Sequence, residues 1–367
     1  MKASDFAKYL RRHPVPEEFP RPDGFRRAVV IPAWDENAEL PTVFASLAAA
    51  LRSAPRSVVT IAVVNHPPGS DPAPSLELLR RIEAGEFRLP NLFPVYAPDL
   101  KGGVGAARAL GIDLFLAAQT AASVGDTLIW SLDADSPVEE TYFRTVEEFM
   151  AAHPRCGAAT LGFAHRAAPT PEAERAIREY EEWMRGHAAA LRAAGSPYSF
   201  IALGSAIVCR GDACIRAGGM KRRTAGEDFY FLQELVKCGG VGEIADVLVH
   251  PSPRLSLRVP FGTGPAMRRM LCDGEAPERS SPEAYGVLAA LLAAAAEPGA
   301  LDSAEALTAR IPAEAREFLA AEGFAEVWRR ILANLPSGDA ARVAAWHRWF
   351  DGLKTLRLLH RYDRRDR

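Results

Sequence analysis

Apolar, β-rich runs alternate with amphipathic helical patterns from Phe25 onward, and this alternation restricts the fold more than any other feature of the chain. Strands are predicted over 27–32, 58–64, 92–96 and 128–132. Between the first two, Leu40, Val43 and Leu47 recur at helical spacing. Strands separated by helices pair in parallel, because each crossover helix returns the chain to the same edge of the sheet. The sequence therefore predicts an α/β fold with a mostly parallel central sheet.

The same patterns continue beyond the fourth strand and then change. We predict helices over 139–152, 171–194, 212–217 and 227–238, and strands over 200–209 and 241–249. After residue 265, Ala-rich and Trp-containing helical patterns dominate. We expect a helical or irregular lead over 1–24, an α/β domain over 25–264 and an α-helical C-terminal extension over 265–367.

Composition and charge exclude several classes of protein. A formal net charge of -2 gives no support for nucleic-acid binding. The chain shows no secretory pattern, and its most apolar stretch, 285–296, is too short to span a bilayer. We expect no transmembrane segment and a cytoplasmic location, with the five cysteines reduced. The basic segment 354–367 is typical of a solvated helix end, and peripheral contact with an anionic membrane is the alternative.

The fourth predicted strand ends in two carboxylates, Asp133 and Asp135. Burying them unpaired would cost several kcal/mol, so they need a cation, the backbone donors of the following turn, or water. Oxygen ligands at this spacing suit Mg²⁺ or Mn²⁺ on a diphosphate, although many Asp-x-Asp pairs only cap a turn. Loops that follow parallel strands meet at one edge of the sheet. We therefore expect the pair to face Pro32, Asn65 and the glycine-rich segment 101–105.

That glycine-rich segment does not match the common nucleotide fingerprints. It lacks the P-loop pattern, and the run from Gly103 to Arg108 lacks the third small residue of a dinucleotide site. The backbone beside Lys101 could still approach a diphosphate or a ribose closely. A plain helix start explains the glycines equally well.

Taken in order, six short motifs between residues 27 and 260 resemble the inverting, family 2 type of glycosyltransferase with the GT-A fold. The motifs are VVIPAWDEN at 29–37, the loop at Asn65, KGGVGAAR at 101–108, DAD at 133–135, Gly204-Ser205 and Glu227-Asp228. The helical extension lies outside the resemblance. The resemblance implies a GT-A fold and an enzyme that transfers a sugar from a UDP- or GDP-sugar to a hydroxyl acceptor, with inversion.

The resemblance also implies roles for single residues. Those expected at the donor nucleotide are Pro32, Ala33, Trp34, Glu36, Asn65, Lys101, Gly102, Gly103, Arg108 and Asp133. Asn65 stands where the family usually has an acidic residue that reads the base, so the choice between UDP and GDP stays open. Asp135 is expected to bind Mn²⁺ or Mg²⁺, with Asp133 and His250 in the metal shell. Arg254 and Arg258 are expected to hold phosphate, and a structural, hydrogen-bonded role is the alternative for His250.

Asp228 is the expected general base, with Glu227 beside it in the catalytic pair. An inverting displacement needs a carboxylate that accepts the proton of the attacking hydroxyl. Ordinary acidic residues at a helix start are the alternative. Gly204 and Ser205 are expected on the acceptor side, where small residues let a sugar approach, and a packing glycine is the alternative. The sequence does not identify the acceptor.

Two other functions stay open. A sugar-phosphate nucleotidyltransferase has a related fold, but it usually has a Gly-rich, Arg-containing loop where this chain has 32–35. A non-catalytic scaffold would fit the departure at Asn65, whereas Asp133, Asp135 and Asp228 favour an enzyme. The helical extension also leaves a homodimer interface open.

Overall fold

The computed structural model describes residues 1–256 and 258–364, and the chain forms two compact units. The first comprises Met1–Tyr180 and Ala202–Glu275, and the second comprises Glu181–Ile201 and Ala276–Arg367. The predicted start of the extension at residue 265 falls within the first unit, where Ala266 and Met267 are buried. Arg365 and Arg367, which belong to the predicted basic segment, lie outside the described residues.

A seven-stranded sheet organises the first unit, in the order β3-β2-β1-β4-β6-β5-β7. Its strands are β1 (Arg27–Ala33), β2 (Val59–Asn65), β3 (Leu92–Ala97), β4 (Leu128–Ser131), β5 (Ala158–Phe163), β6 (Ile207–Arg210) and β7 (Val241–Val249). Only β6 is antiparallel to its neighbours, β4 and β5. Every residue of β1 and β2 is buried, which explains why these strands read as continuous apolar runs. The predicted α/β class with a mostly parallel sheet is confirmed.

Helices join these strands in the first unit. They are α1 (Ala3–Arg12), α2 (Leu40–Leu51), α3 (Ala73–Glu83), α4 (Gly103–Ala117), α5 (Tyr142–Ala152), α6 (Pro171–Ala193), α7 (Gly211–Arg216), α8 (Glu227–Gly239) and α9 (Thr263–Arg268). A π-helical turn, Arg269–Asp273, directly follows α9. Helix α4 begins soon after the parallel strand β3 ends at Ala97, so its first turn lies close to the carboxyl edge of the sheet.

The second unit is helical, as the sequence predicts. Apart from the end of α6 it contains α10 (Pro282–Ala296), α11 (Ala304–Thr308), α12 (Ala313–Ala321), α13 (Phe324–Ala333), α14 (Asp339–Trp349) and α15 (Gly352–Asp363). Trp328 and Trp346 are fully buried in its core, and Trp346 stacks on Phe350 with ring centroids 5.0 Å apart. In the described part of the chain, no helix has the length and apolar character needed to cross a bilayer.

The sequence-based prediction differs from the structure mainly near β6. The strand predicted over 200–209 begins only at Ile207, because residues 204–205 form a turn in which the Gly204 carbonyl accepts a hydrogen bond from Ser131 Oγ (2.7 Å). Strand β5 and helix α3 were not predicted. In β5 the sequence AATLGF is rich in small residues and carries a weak strand signal.

Candidate active site

Two arginines that follow β7 meet acidic residues that follow β1 and β4. Arg254 binds Glu36 through both terminal nitrogens, Nη2 to Oε1 at 2.5 Å and Nη1 to Oε2 at 2.9 Å. Its Nε lies 3.0 Å from Asp135 Oδ2. Arg258 also pairs with Glu36, donates to the Trp34 carbonyl (3.0 Å) and lies over the Trp34 ring at 5.2 Å. Because Glu36 is only 6% exposed, it orients the two guanidinium groups instead of offering its carboxylate to a ligand.

A third arginine, Arg108, lies at the centre of the remaining acidic residues. It is buried in α4 and forms ion pairs with both Asp133 and Glu227. Gly204 packs against its guanidinium so closely that a Cβ at that position would overlap the charged group. Arg108 Nε and Ser205 Oγ are both buried without a hydrogen-bond partner among the described residues. Arg108, Gly204 and Ser205 thus form a buried layer that holds Asp133, so the geometry supports positioning roles for them rather than direct contact with donor or acceptor.

Asp228 lies in the first turn of α8 and is half-buried. Its Oδ1 accepts a hydrogen bond from the backbone N–H of Phe229 (2.8 Å). Burial raises its pKa, while the charge of Arg108 and the Phe229 N–H act in the opposite direction. Burial also raises the pKa of Tyr180 on α6 to about 12, with Asp228 adding to the shift. Asp228 therefore lies within electrostatic reach of both Arg108 and Tyr180.

The neighbouring carboxylates also titrate above their ordinary range. Burial raises the pKa of Glu227 to about 7, although Arg108 opposes the shift. Burial and the charge of Asp133 raise the pKa of Asp135 to about 6, and Arg254 opposes that shift. An exposed carboxyl group titrates near pH 4, so this cluster changes its protonation much closer to neutral pH. Shifted carboxylates of this kind are typical of functional sites.

The glycine-rich start of α4 is covered by residues 221–224 of the same chain. Gly105 N donates a hydrogen bond to the Arg223 carbonyl (3.1 Å), and a Cβ at Gly105 would lie 2.5 Å from that oxygen. Gly102 and Gly103 have φ values of 97° and 60°, which glycine adopts without strain. The structure thus explains the glycines by close packing and backbone conformation. Contact of Gly102, Gly103 and the exposed Lys101 with a donor stays a prediction.

His250 lies beside the turn that follows Asp135, but its side chain binds other groups. Its backbone N–H donates to the Pro137 carbonyl (2.8 Å). Its Nε2 lies 2.7 Å from Glu139 Oε1, and its Nδ1 lies 3.2 Å from the Ala164 carbonyl oxygen. Both ring nitrogens therefore have protein partners, and the geometry supports the structural role for His250 rather than metal ligation.

Asn65 ends β2 at the predicted edge of the sheet. It pairs with Ala97 across β2 and β3, and its carbonyl accepts a hydrogen bond from Ser75 Oγ (2.9 Å). The side chain is buried, with 6% of the residue exposed. Pro32 and Ala33 end β1 next to it and are buried as well. The contacts of these residues with a nucleotide stay predictions.

Asp133 and Asp135 fit a divalent cation whose shell is completed by a substrate. In the described part of the chain, no three His, Cys, Asp or Glu side chains form a group that could hold a metal. Mg²⁺, however, commonly takes one or two carboxylates and completes its shell with phosphate and water. The acidic groups here are Glu36, Asp133, Asp135, Glu227 and Asp228, and the basic groups paired with them are Arg108, Arg254 and Arg258. Asp35 also pairs with Arg258, so acidic groups outnumber basic groups in this cluster, and a cation would offset the excess negative charge.

The known proteins that resemble this chain were found among solved structures. No protein-family model matches the chain, and no curated protein matches it. S. aureus TarS 1–349 in complex with UDP-GlcNAc is 11% identical with a TM-score of 0.47, and 87% of this chain and 90% of that chain are covered. The mannosyltransferase PcManGT from Pyrobaculum calidifontis, in complex with GDP-Man and Mn²⁺, is 17% identical with a TM-score of 0.42, and 93% and 92% are covered.

A third similar structure is glucosyl-3-phosphoglycerate synthase from Mycobacterium tuberculosis, in complex with Mn²⁺, UDP-glucose and phosphoglyceric acid. It is 14% identical with a TM-score of 0.40, and 68% of this chain and 76% of that chain are covered. All three are GT-A type glycosyltransferases, the group that the motifs resemble. Because each TM-score is below 0.5, a function for this chain has to rest on its own site.

Proposed function

We propose that the chain is a metal-dependent glycosyltransferase that moves a sugar from a nucleotide-diphosphate donor to a hydroxyl acceptor. The observation that carries this proposal is the ion pair of Asp135 with Arg254, which Glu36 holds beside Arg258. Asp133 lies within electrostatic reach of Asp135. A diphosphate uses both kinds of group, because it binds a cation held by carboxylates and accepts charge-assisted hydrogen bonds from guanidinium groups. The donor base stays open between UDP and GDP.

Each group has a distinct task in the proposed reaction. Arg254 and Arg258, fixed by Glu36, hold the phosphates as the bond between sugar and diphosphate breaks. Asp133 and Asp135 would hold Mn²⁺ or Mg²⁺, which stabilises the negative charge that develops on the leaving oxygen. Asp133 keeps its place through Arg108.

Asp228 is the proposed general base. In an inverting displacement it accepts the proton of the acceptor hydroxyl while that oxygen attacks the anomeric carbon. A raised pKa suits this task, because a base is most effective when its pKa lies near the working pH. Glu227 is bound to Arg108, so within the predicted catalytic pair it serves to orient the cluster.

Nucleotide binding tests the donor site. We expect isothermal titration to detect binding of UDP or GDP when Mn²⁺ is present, and to detect at least tenfold weaker binding after EDTA treatment. Asp135→Asn should weaken metal-dependent binding by a similar factor. Asp246→Asn is the matched control, since Asp246 is an exposed acid on β7. If neither nucleotide binds to the wild-type protein, the donor-site proposal is wrong.

Measurements of turnover test whether Asp228 is the general base. They also distinguish a glycosyltransferase from a scaffold and from a nucleotidyltransferase. Asp228→Asn should lower transfer or donor hydrolysis by about 10²–10⁴-fold while nucleotide binding persists. Proton NMR of the product shows whether the anomeric configuration is inverted. Nucleotide binding without any turnover would favour the scaffold, and pyrophosphate release from a nucleoside triphosphate and a sugar phosphate would favour the nucleotidyltransferase. A cytoplasmic location, a homodimer and peripheral membrane contact stay predictions.

A further inference from the structure

A surface pocket of about 440 Å³ borders the proposed donor site. Residues that line it include Arg258, Arg268, Arg269, Phe261 and Asp273. Arg258 belongs to both places, because it also binds Glu36 and the Trp34 carbonyl. The pocket and the proposed diphosphate site therefore share a wall.

The pocket is strongly basic. Three guanidinium groups line it against the single carboxylate of Asp273. Arg268 and Arg269 are exposed, and neither forms an ion pair with any carboxylate in the described part of the chain. Their donor groups are thus available, in contrast to those that bind Glu36. Because a guanidinium fork matches the oxygens of a phosphate, two unpaired arginines in one concave surface suit an oxyanion.

The local backbone gives a second reason to consider this pocket. Arg269–Asp273 is a π-helical turn at the end of α9, and such turns occur often at functional sites. The turn carries Arg269 and Asp273, two of the charged residues that line the pocket.

One arginine of the pocket, Arg269, also acts on a residue that interacts with the proposed base. Burial raises the pKa of Tyr180 to about 12, the charge of Asp228 raises it further, and the charge of Arg269 opposes the shift. Arg269 and Asp228 thus lie within electrostatic reach of the same hydroxyl group. Tyr180 therefore links the pocket electrostatically to the proposed base.

We infer that this pocket binds a phosphate ester group of the acceptor, with Arg268 and Arg269 as its ligands. The inference deepens the proposed function and rests on it for the identification of the bound molecule as an acceptor. The donor diphosphate uses Arg254 and Arg258, and the acceptor phosphate uses the second pair of arginines. In this proposal, a hydroxyl group of the same acceptor reaches Asp228.

Binding of inorganic phosphate and of glycerol phosphate, with glycerol as the uncharged counterpart, tests the pocket directly. We expect isothermal titration to detect both anions and no binding of glycerol under the same conditions. Arg268→Gln/Arg269→Gln should weaken anion binding at least tenfold, and Asp273→Asn should strengthen it. Arg144→Gln removes an exposed arginine from α5 and should bind the anions as the wild type does. Arg254→Gln shows whether the anion occupies the donor site instead.

Wild-type affinity in the double variant would overturn the inference, and so would a loss of anion binding in Arg254→Gln alone. If the double variant does not fold, the affinity of Asp273→Asn for the anions tests the inference instead. Tighter anion binding in that variant would support the inference, because it cannot result from loss of structure, and unchanged binding would contradict it. The proposed function is tested by a different result, because it is wrong if neither UDP nor GDP binds in the presence of Mn²⁺. In that case the anion titration still shows whether the pocket binds phosphate.

Discussion

Arg108 and Glu227 form an ion pair in which neither side chain has more than 4% of its surface exposed. The same guanidinium binds Asp133, so one residue of α4 fixes both the turn after β4 and the start of α8. The proposed cation-binding turn and the proposed base are therefore held in place by a single buried positive charge. Removing one member of such a pair leaves the other charge buried and uncompensated.

Replacing Arg108 should destabilise the first unit. We expect Arg108→Met to lower the free energy of unfolding by about 3–5 kcal/mol, the usual cost of breaking a buried ion pair. The double variant Arg108→Met/Glu227→Gln should lose less, because it no longer buries the Glu227 charge. Urea unfolding of the wild type, both single variants and the double variant gives the coupling energy. Additive effects, with no coupling above about 0.5 kcal/mol, would contradict the buried pair.

Gly204 should tolerate no side chain. A Cβ at this position would overlap the Arg108 guanidinium, so Gly204→Ala should lower the free energy of unfolding by about 1–3 kcal/mol. It should also reduce Mn²⁺-dependent nucleotide binding, because Arg108 positions Asp133. Gly125→Ala is the control in the same unit, since a Cβ there would meet no atom within 4 Å. Its effect should stay within about 0.5 kcal/mol. Equal effects of the two changes would show that the Gly204 contact is unimportant.

The transfer rate should rise with pH in a range above that of ordinary carboxylates. Asp228 acts as a base only when ionised, and burial raises its pKa, so activity is lost as the pH falls through that raised value. With Mn²⁺ saturating, we expect kcat/KM to rise in a pH range above that of an exposed carboxyl group, which titrates near pH 4. Glu227→Gln should move this rise to lower pH, because it removes a neighbouring negative charge and frees Arg108 to favour ionised Asp228. A rise confined to the range of an exposed carboxyl group, near pH 4, would argue against Asp228 as the base.

The second unit should lose stability in mild acid because of His187. Burial lowers the pKa of His187 to about 4, with the charge of His360 adding to the shift, and its Nδ1 lies 2.6 Å from Tyr285 Oη. The unfolded chain takes up the proton near pH 6.5, so the free energy of unfolding falls as the pH drops from 6.5 to 4. The loss is at most about 3 kcal/mol.

Hydrogen exchange in α10 measures this loss. His187→Gln should make the exchange protection of α10 less dependent on pH between 6.5 and 4. His153→Gln, which removes an exposed histidine from the first unit, should leave that dependence unchanged. If His187→Gln keeps the wild-type dependence, another group is responsible for the acid sensitivity.

The sequence predicts the sheet and the place of the acidic turn because both depend on local patterns. Strands β1 and β2 are continuous apolar runs, and parallel topology brings the residues after them to the same edge as Asp133 and Asp135. These features need no knowledge of distant contacts. The proposed anion pocket was not predicted, because Arg268 ends the short helix α9 and Arg269 begins a π-helical turn, which has no sequence signature.

The role of Arg108 could not be read from its neighbours. Its partner Glu227 is 119 positions away, and no local pattern links residues so far apart. One signal was present, since Arg108 and Asp113 are the only charged residues in the apolar sequence of α4. Charges on such a helix need buried partners, and Asp113 accepts a hydrogen bond from Tyr9 Oη (2.7 Å).

A hydrogen bond from Gly105 N to the Arg223 carbonyl attaches the segment that precedes α8 to the start of α4. Asp228 is only five positions beyond Arg223. The short segment 223–228 is therefore a tether that limits how far the proposed base can lie from the start of α4. Insertions or deletions between these two residues would shift Asp228 relative to Asp133, whereas changes of length before residue 221 leave that tether intact. Attempts to redesign the acceptor range of this chain by loop grafting should therefore keep 223–228 at constant length.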